Sequence, residues 1–144
     1  MGRGGALGIV LSAVLGCSPA PPPVQVDLIE EPTTLSPVPQ LLSAGPPLPA
    51  SHPSVGVCIH PGRGYNVSGR WTVLTPDGRE AQVVAHAELV GGRVVKLASP
   101  SSTGPTLCVH PRRGGPLEAP VRRVRVVAST PIVARRIVWK STAP

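Results

Sequence analysis

Two stretches of this chain carry the same order of chemically capable side chains. Val57-Cys58-Ile59-His60-Pro61-Gly62-Arg63-Gly64 recurs as Leu107-Cys108-Val109-His110-Pro111-Arg112-Arg113-Gly114, fifty residues later. Both read apolar-Cys-apolar-His-Pro-x-Arg-Gly. In a strand, residues i and i+2 project from one face, so each cysteine shares a face with its histidine. If the two strands are neighbours, or face one another, four groups converge: Cys58, His60, Cys108 and His110. Such a set supports two chemistries. A Cys58–Cys108 disulfide would close a loop of about fifty residues and stabilise the fold by roughly 4 kcal/mol. Alternatively, two thiolates and two imidazoles offer a soft Cys2His2 site to zinc or copper. Spacing weighs against the metal, because structural zinc sites usually set paired ligands a short turn apart rather than as Cys-x-His along a strand. The disulfide is the first expectation, with no cofactor; the metal centre is the alternative, and two free buried thiols a third outcome.

The second chemical feature is charge. The chain has 14 Lys+Arg against 7 Asp+Glu, a formal net charge of +7. Eight of the basic residues lie between Arg112 and Lys140, where Glu118 is the one acid. Arg112, Arg113, Arg123, Arg125, Arg135 and Arg136 are the candidate docking residues for an anionic surface: lipid headgroups, an acidic polysaccharide or an acidic protein partner. A solvated sheet face accounts for the same charges without a partner. Alternation sends Arg123 and Arg125 one way and Arg122 the other, so the cluster does not share one face. Nucleic acid is not the expected partner, since the aromatics number three (Tyr65, Trp71 and Trp139) and no nucleic-acid-binding motif is present. Nor is the chain expected to be an enzyme. It contains no G-x-S-x-G, H-E-x-x-H or phosphate-binding loop, and its seven carboxylates are scattered. His86 reads as a surface residue.

The N-terminus sets the compartment. Arg3 precedes a small apolar run from Ala6 to Gly16, too short to span a bilayer and of the length of a signal-peptide core. The run ends Val14-Leu15-Gly16-Cys17, which resembles the lipobox of bacterial lipoproteins. The resemblance implies a signal peptide over residues 1–16, cleavage before Cys17, and a diacylglycerol on its sulfur. Ser18 in the following position, by similarity to the lipoproteins of two-membrane bacteria, implies the outer membrane. Acylation also accounts for the odd cysteine of three, leaving Cys58 and Cys108 as a pair in an oxidising compartment. The expected protein is therefore lipid-anchored at the cell envelope, with a non-enzymatic binding or scaffolding role.

The remaining chain must position these groups. Pro and Gly together make up 36 of the 144 residues. Residues 18–54 contain 11 prolines. Proline fixes φ and lacks a donor, so this stretch, with the lipidated cysteine at 17, reads as a disordered, semi-extended tether. One apolar patch, Val24 to Ile29, offers an alternative: a strand added to the domain edge. Residues 55–144 read as the folded domain, carrying 13 basic and 4 acidic side chains, a net of +9. Valine dominates with 16 copies and no helical period extends beyond about one turn. Seven short strands follow from alternation, giving an all-β, antiparallel sandwich of immunoglobulin-like or jelly-roll type. The clearest runs from Ala81 to Val90, with odd positions Ala81, Val83, Ala85, Ala87 and Leu89 facing inward. A three-residue loop, Val90 to Gly92, puts Val95 and Leu97 on the core face, whereas a two-residue loop would bury Lys96 there. Arg70 to Thr75 is expected as a strand with Trp71 and Val73 on one face, and Ser99 to Pro105 as a loop. Val124, Val126 and Ala128 point inward, and Val133, Ile137 and Trp139 share a face with Arg135.

Overall fold

The computed structural model describes residues 22–143. The signal segment and Cys17 lie outside the described residues. Within them the chain is all-β and every strand pairing is antiparallel. Six strands build the body: β4 (Ser54–Pro61), β8 (Val83–Leu89), β9 (Val94–Thr103), β10 (Thr106–Pro111), β11 (Val121–Ala128) and β12 (Ile132–Thr142). Three short ones precede them: β1 (Val24–Asp27), β2 (Thr33–Leu35) and β3 (Gln40–Leu42). A small second sheet joins β5 (Asn66–Val67), β6 (Val73–Leu74) and β7 (Glu80–Ala81).

The main sheet runs β1-β12-β4-β10-β9-β8-β11-β3, with β2 also on β12. Strands β11 and β12 are consecutive in the chain yet lie towards opposite ends of this path. The sheet curls into a half-barrel around a core that includes Val57, Ile59, Leu97, Leu107, Val109, Val124, Val126, Ile137 and Trp139.

The Pro-rich stretch departs from the expected tether. Val24–Asp27 pairs with β12, as the edge-strand alternative had it, and Thr33–Leu35 pairs with the other end of the same strand. Gln40–Leu42 then crosses to β11, with Ala128 N donating to Ser36 O on the way. Leu48 exchanges backbone hydrogen bonds with Val121. Residues 24–50 thus form a strap spanning the open side between β12 and β11. The physical reason is apolar content: Leu28, Leu35, Leu42, Leu48 and Ala50 are all buried. Their burial outweighs the prolines, which occupy the connections rather than these three strands. The folded body therefore begins near residue 24, not 55.

Other expectations divide along similar lines. Ala81, Val83, Ala85, Ala87 and Leu89 are buried, and Ala85 and Ala87 pair with Leu97 and Val95. The hairpin loop has the three residues Val90 to Gly92, with Leu89 N bonded to Arg93 O and both glycines at positive φ. The Ser-rich stretch from Ser99 is strand rather than loop. It continues β9 to Thr103, paired with β10 alone, so that Pro100 sits where no partner strand needs a donor on its free side. Val73 is buried as expected, but Trp71 is not its neighbour on a strand face. It occupies a turn with φ 57° and is half exposed.

Two β-bulges correct the arginine phases. The β11–β8 register slips between Val121 and Arg123, and the β12–β4 register between Ala134 and Arg136. Each bulge inserts one residue, so Arg122 with Arg123, and Arg135 with Arg136, are exposed as adjacent pairs. Val133 consequently falls out of phase with Ile137 and Trp139, and Arg135 does not share their buried face. Unbroken alternation would have carried a guanidinium into the core.

Candidate functional site

The repeated Cys-x-His units lie on adjacent strands, β4 and β10, with Cys58 directly opposite Cys108. The two form a disulfide, Cα atoms 4.0 Å apart, and both are buried. The histidines do not join them. Counting along the ladder from the Cys58↔Cys108 pair, His60 lies opposite Thr106, two positions to one side, and His110 lies two positions to the other. His60 Nδ1 is 3.3 Å from Thr106 Oγ1. His110 Nδ1 donates to Val55 O at 2.9 Å, and in the neutral ring Nε2 accepts from Ser101 Oγ at 2.9 Å. The proposed Cys2His2 centre is thereby overturned. Its thiolates are consumed in a bond, and its imidazoles stand on opposite sides of it. Among the described residues no cluster of three metal-ligating side chains is present.

The His110 ring has a structural role. The β4–β10 ladder ends at Val57↔Val109, and the imidazole takes up the next strand carbonyl, Val55 O. It can do so because residue 56 is glycine: a Cβ there would lie 2.6 Å from both His110 Nδ1 and Val109 O. His60, by contrast, faces cations. Partial burial, then Arg136, Lys140 and Arg135, hold its pKa below the ordinary histidine value, with Asp27 opposing them.

The six candidate docking arginines fall in three places. Arg123 and Arg125 extend from β11 over Glu88 of β8; Arg123 donates to its carboxylate and Arg125 lies 3.8 Å away. The hydrogen bond from Arg123, with the positive charges of Arg123, Arg125 and Arg122, keeps Glu88 below the usual carboxylate pKa. On β12, Arg136 donates to Asp27 of β1 at 2.9 Å, beside exposed Arg135. Arg112 and Arg113 line a cavity.

That cavity is a cleft of about 400 Å³ between the β8–β9 hairpin and the β10–β11 loop. Leu89, Val95, Pro111, Pro116 and Leu117 supply apolar lining. Arg93, Lys96, Arg112 and Arg113 supply four cations, against one acid, Glu118, which pairs with Arg93. Among the described residues no ion pair engages Lys96, Arg112 or Arg113. The loop wall is held from behind by the strap. Leu117 N donates to Ala50 O, and Gly114 and Gly115 lie so close to the His52 and Pro53 carbonyls that a Cβ on Gly115 would sit 2.6 Å from His52 O. His52 is itself buried and bonded through Nδ1 to Ser141 Oγ at 2.6 Å. Val90 N reaches Pro120 O and ties the hairpin tip to the same loop.

Sequence reasoning singled out Arg112 and Arg113 but not Arg93, Lys96 or the apolar floor. The hairpin offset of Val95 and Leu97 was readable; that the β10–β11 loop folds over this hairpin was not, because it depends on the strap behind the loop. No family model, no curated protein and no solved structure matches this chain.

Proposed function

We propose that the chain is a non-enzymatic binding module of the bacterial cell envelope, anchored through a lipidated Cys17, that docks an anionic amphiphile in the cleft between the β8–β9 hairpin and the β10–β11 loop. The observation that supports this reading is the cleft's composition. Three basic side chains without ion-pair partners among the described residues surround an apolar floor. In a concave site with apolar walls, such cations attract a phosphate or carboxylate while the floor covers an alkyl segment. The other arginines contribute less, because Arg123, Arg125 and Arg136 already face carboxylates of this chain.

Two experiments test the two halves. Full-chain protein carrying Cys17→Ala, titrated with monododecyl phosphate below its micellar concentration, should bind it. Arg112→Ala with Arg113→Ala should weaken binding, as should added salt. Equal affinity for lysophosphatidylcholine, or an unchanged affinity in the double variant, refutes the cleft. For the anchor, cells fed labelled palmitate should label the wild-type chain and not Cys17→Ala; label retained in the variant refutes lipidation at that residue.

A further inference from the structure

Trp71 is the only exposed aromatic among the described residues, and its backbone is the only non-glycine one at positive φ. A bulky side chain in the left-handed region is an outlier, and a loop serving only as a connection would place Gly or Asn there at lower cost. The strain persists because the loop is over-determined. Ser68 N donates to Thr72 O at 2.8 Å, and Trp71 N donates to Ser68 O at 3.0 Å. The Ser68 hydroxyl accepts from Arg70 N and Thr72 N at 3.2 and 3.3 Å, and meets Thr72 Oγ1 at 2.7 Å. Five hydrogen bonds thus hold residues 68–72 around one outward-facing indole.

The indole stands beside a hollow of about 180 Å³. This hollow has a topological origin. Strands β8 and β9 are paired only as far as Ala85↔Leu97; beyond that β8 stays with β11 and β9 with β10. Val83, Val84, Ala98 and Pro100 line the gap where the strands part, and Arg70 and Gln82 add polar edges to it. A rigid aromatic plate next to a small concavity with a guanidinium and an amide matches one kind of ligand well. A sugar ring has an apolar face of C–H groups that stacks on an aromatic surface, and a rim of hydroxyls that both donate and accept.

We propose that Trp71 and this hollow form a platform for a single neutral pyranose unit of a glycan. The ring stacks on the indole, with Arg70 donating to its hydroxyls and Gln82 donating and accepting. This platform is separate from the cleft bearing Arg112 and Arg113: the two share no lining residue. Insertion into a membrane is the less suitable use of an exposed Trp here. The other exposed large apolar side chains, Val38, Leu41, Val90 and Val94, belong to other elements, and loop 68–72 offers no second apolar group to enter a bilayer.

The two tryptophans make the test direct. Trp139 is fully buried with its Nε1 bonded to Pro49 O, so acrylamide quenching and small emission shifts report Trp71. Full-chain protein is titrated with chitotetraose, maltotetraose and cellotetraose. At least one should shift the emission and shield Trp71 from acrylamide, and Trp71→Ala should weaken that binding, measured by calorimetry, about tenfold or more, the scale of one lost aromatic stack. Trp71→Gly should lose binding likewise while its unfolding midpoint stays equal or rises, because glycine relieves the positive φ. Arg112→Ala with Arg113→Ala should leave sugar binding unchanged. The proposal is overturned if none of the three sugars alters the emission. It is equally overturned if binding survives in Trp71→Ala, or if phosphatidylglycerol vesicles shift Trp71 emission while no sugar does.

Discussion

Replacing Leu35 with alanine separates a strap from a tether. Leu35 is fully buried in β2, paired through its backbone with Ile132 of β12. If residues 24–50 were a free spacer, truncating a leucine within them would leave the domain's stability unchanged. As part of the core, the loss should be about 2–5 kcal/mol, the range for deleting a buried leucine side chain and leaving a cavity. Domains of this kind hold about 5–15 kcal/mol in total, so one substitution removes a large share and lowers the melting temperature on the order of 10 °C. Urea unfolding followed by Trp139 emission is the appropriate assay, because that indole donates to Pro49 O at 2.7 Å and so reports strap contact as well as core integrity. Val38→Ala is the internal control: Val38 belongs to the same strap but is 74% exposed, and its truncation should change stability by less than about 0.5 kcal/mol. A Leu35→Ala loss as small as the Val38→Ala loss would refute the packing of the strap.

Three further outcomes follow from the neighbourhood of the disulfide. Gly56→Ala drives a Cβ to 2.6 Å from Val109 O and His110 Nδ1, so it should destabilise by about 1–3 kcal/mol, and His110→Ala should not rescue it because the backbone oxygen remains; a neutral midpoint shift in urea would refute the close approach. Replacing Cys58 and Cys108 together with alanine should cost roughly 4 kcal/mol, from the loop of about fifty residues that the bond closes, and an unchanged melting curve would sink that account. His60, held below its ordinary pKa chiefly by burial and then by Arg136, Lys140 and Arg135, binds protons more weakly folded than unfolded. The stability it supports is thus complete above the unfolded pKa near 6.5 and declines as pH falls through the folded value. His60→Gln should flatten the loss of stability as pH falls below about 6.5; an unchanged slope would show that His60 does not carry it.

What could be read from the sequence was whatever strict alternation specifies. Strand β8, the three-residue hairpin after it, and inward-facing Val124, Val126 and Ala128 all follow from period-two patterning with one face buried. The Cys58–Cys108 pairing was legible as one of three outcomes, and the ladder on which the two lie opposite each other selects it. The departures share a cause: local composition does not include the tertiary partner. Serines and two prolines at 99–105 disfavour strand in isolation, yet β10 supplies a ladder for this stretch up to Thr103. The adjacent arginine pairs break alternation, and nothing local marks which residue a bulge will absorb. Prolines mark residues 18–54 as extended, while the leucines spaced through that stretch carry the packing information.

The strap links the start of the described residues to the cleft. It lies between β12 and β11, and its end, with the residues that follow it to Pro53, backs the β10–β11 loop through Leu48, Ala50 and the His52 and Pro53 carbonyls. The loop's two glycines are required there, since any side chain at 115 would meet His52 O. Arg112 and Arg113 therefore take their position from a segment more than fifty residues upstream, which is itself fixed by Trp139 and Ser141 of β12. A cleft braced in this way does not depend on its own loop for shape. The glycine-rich loop can remain thin enough to leave an apolar floor open, while rigidity is supplied from behind by buried leucines and backbone hydrogen bonds. Without Leu48 and Ala50 behind it the basic pair would sit on an unsupported loop, and its charges would lose their fixed relation to Arg93 and Lys96.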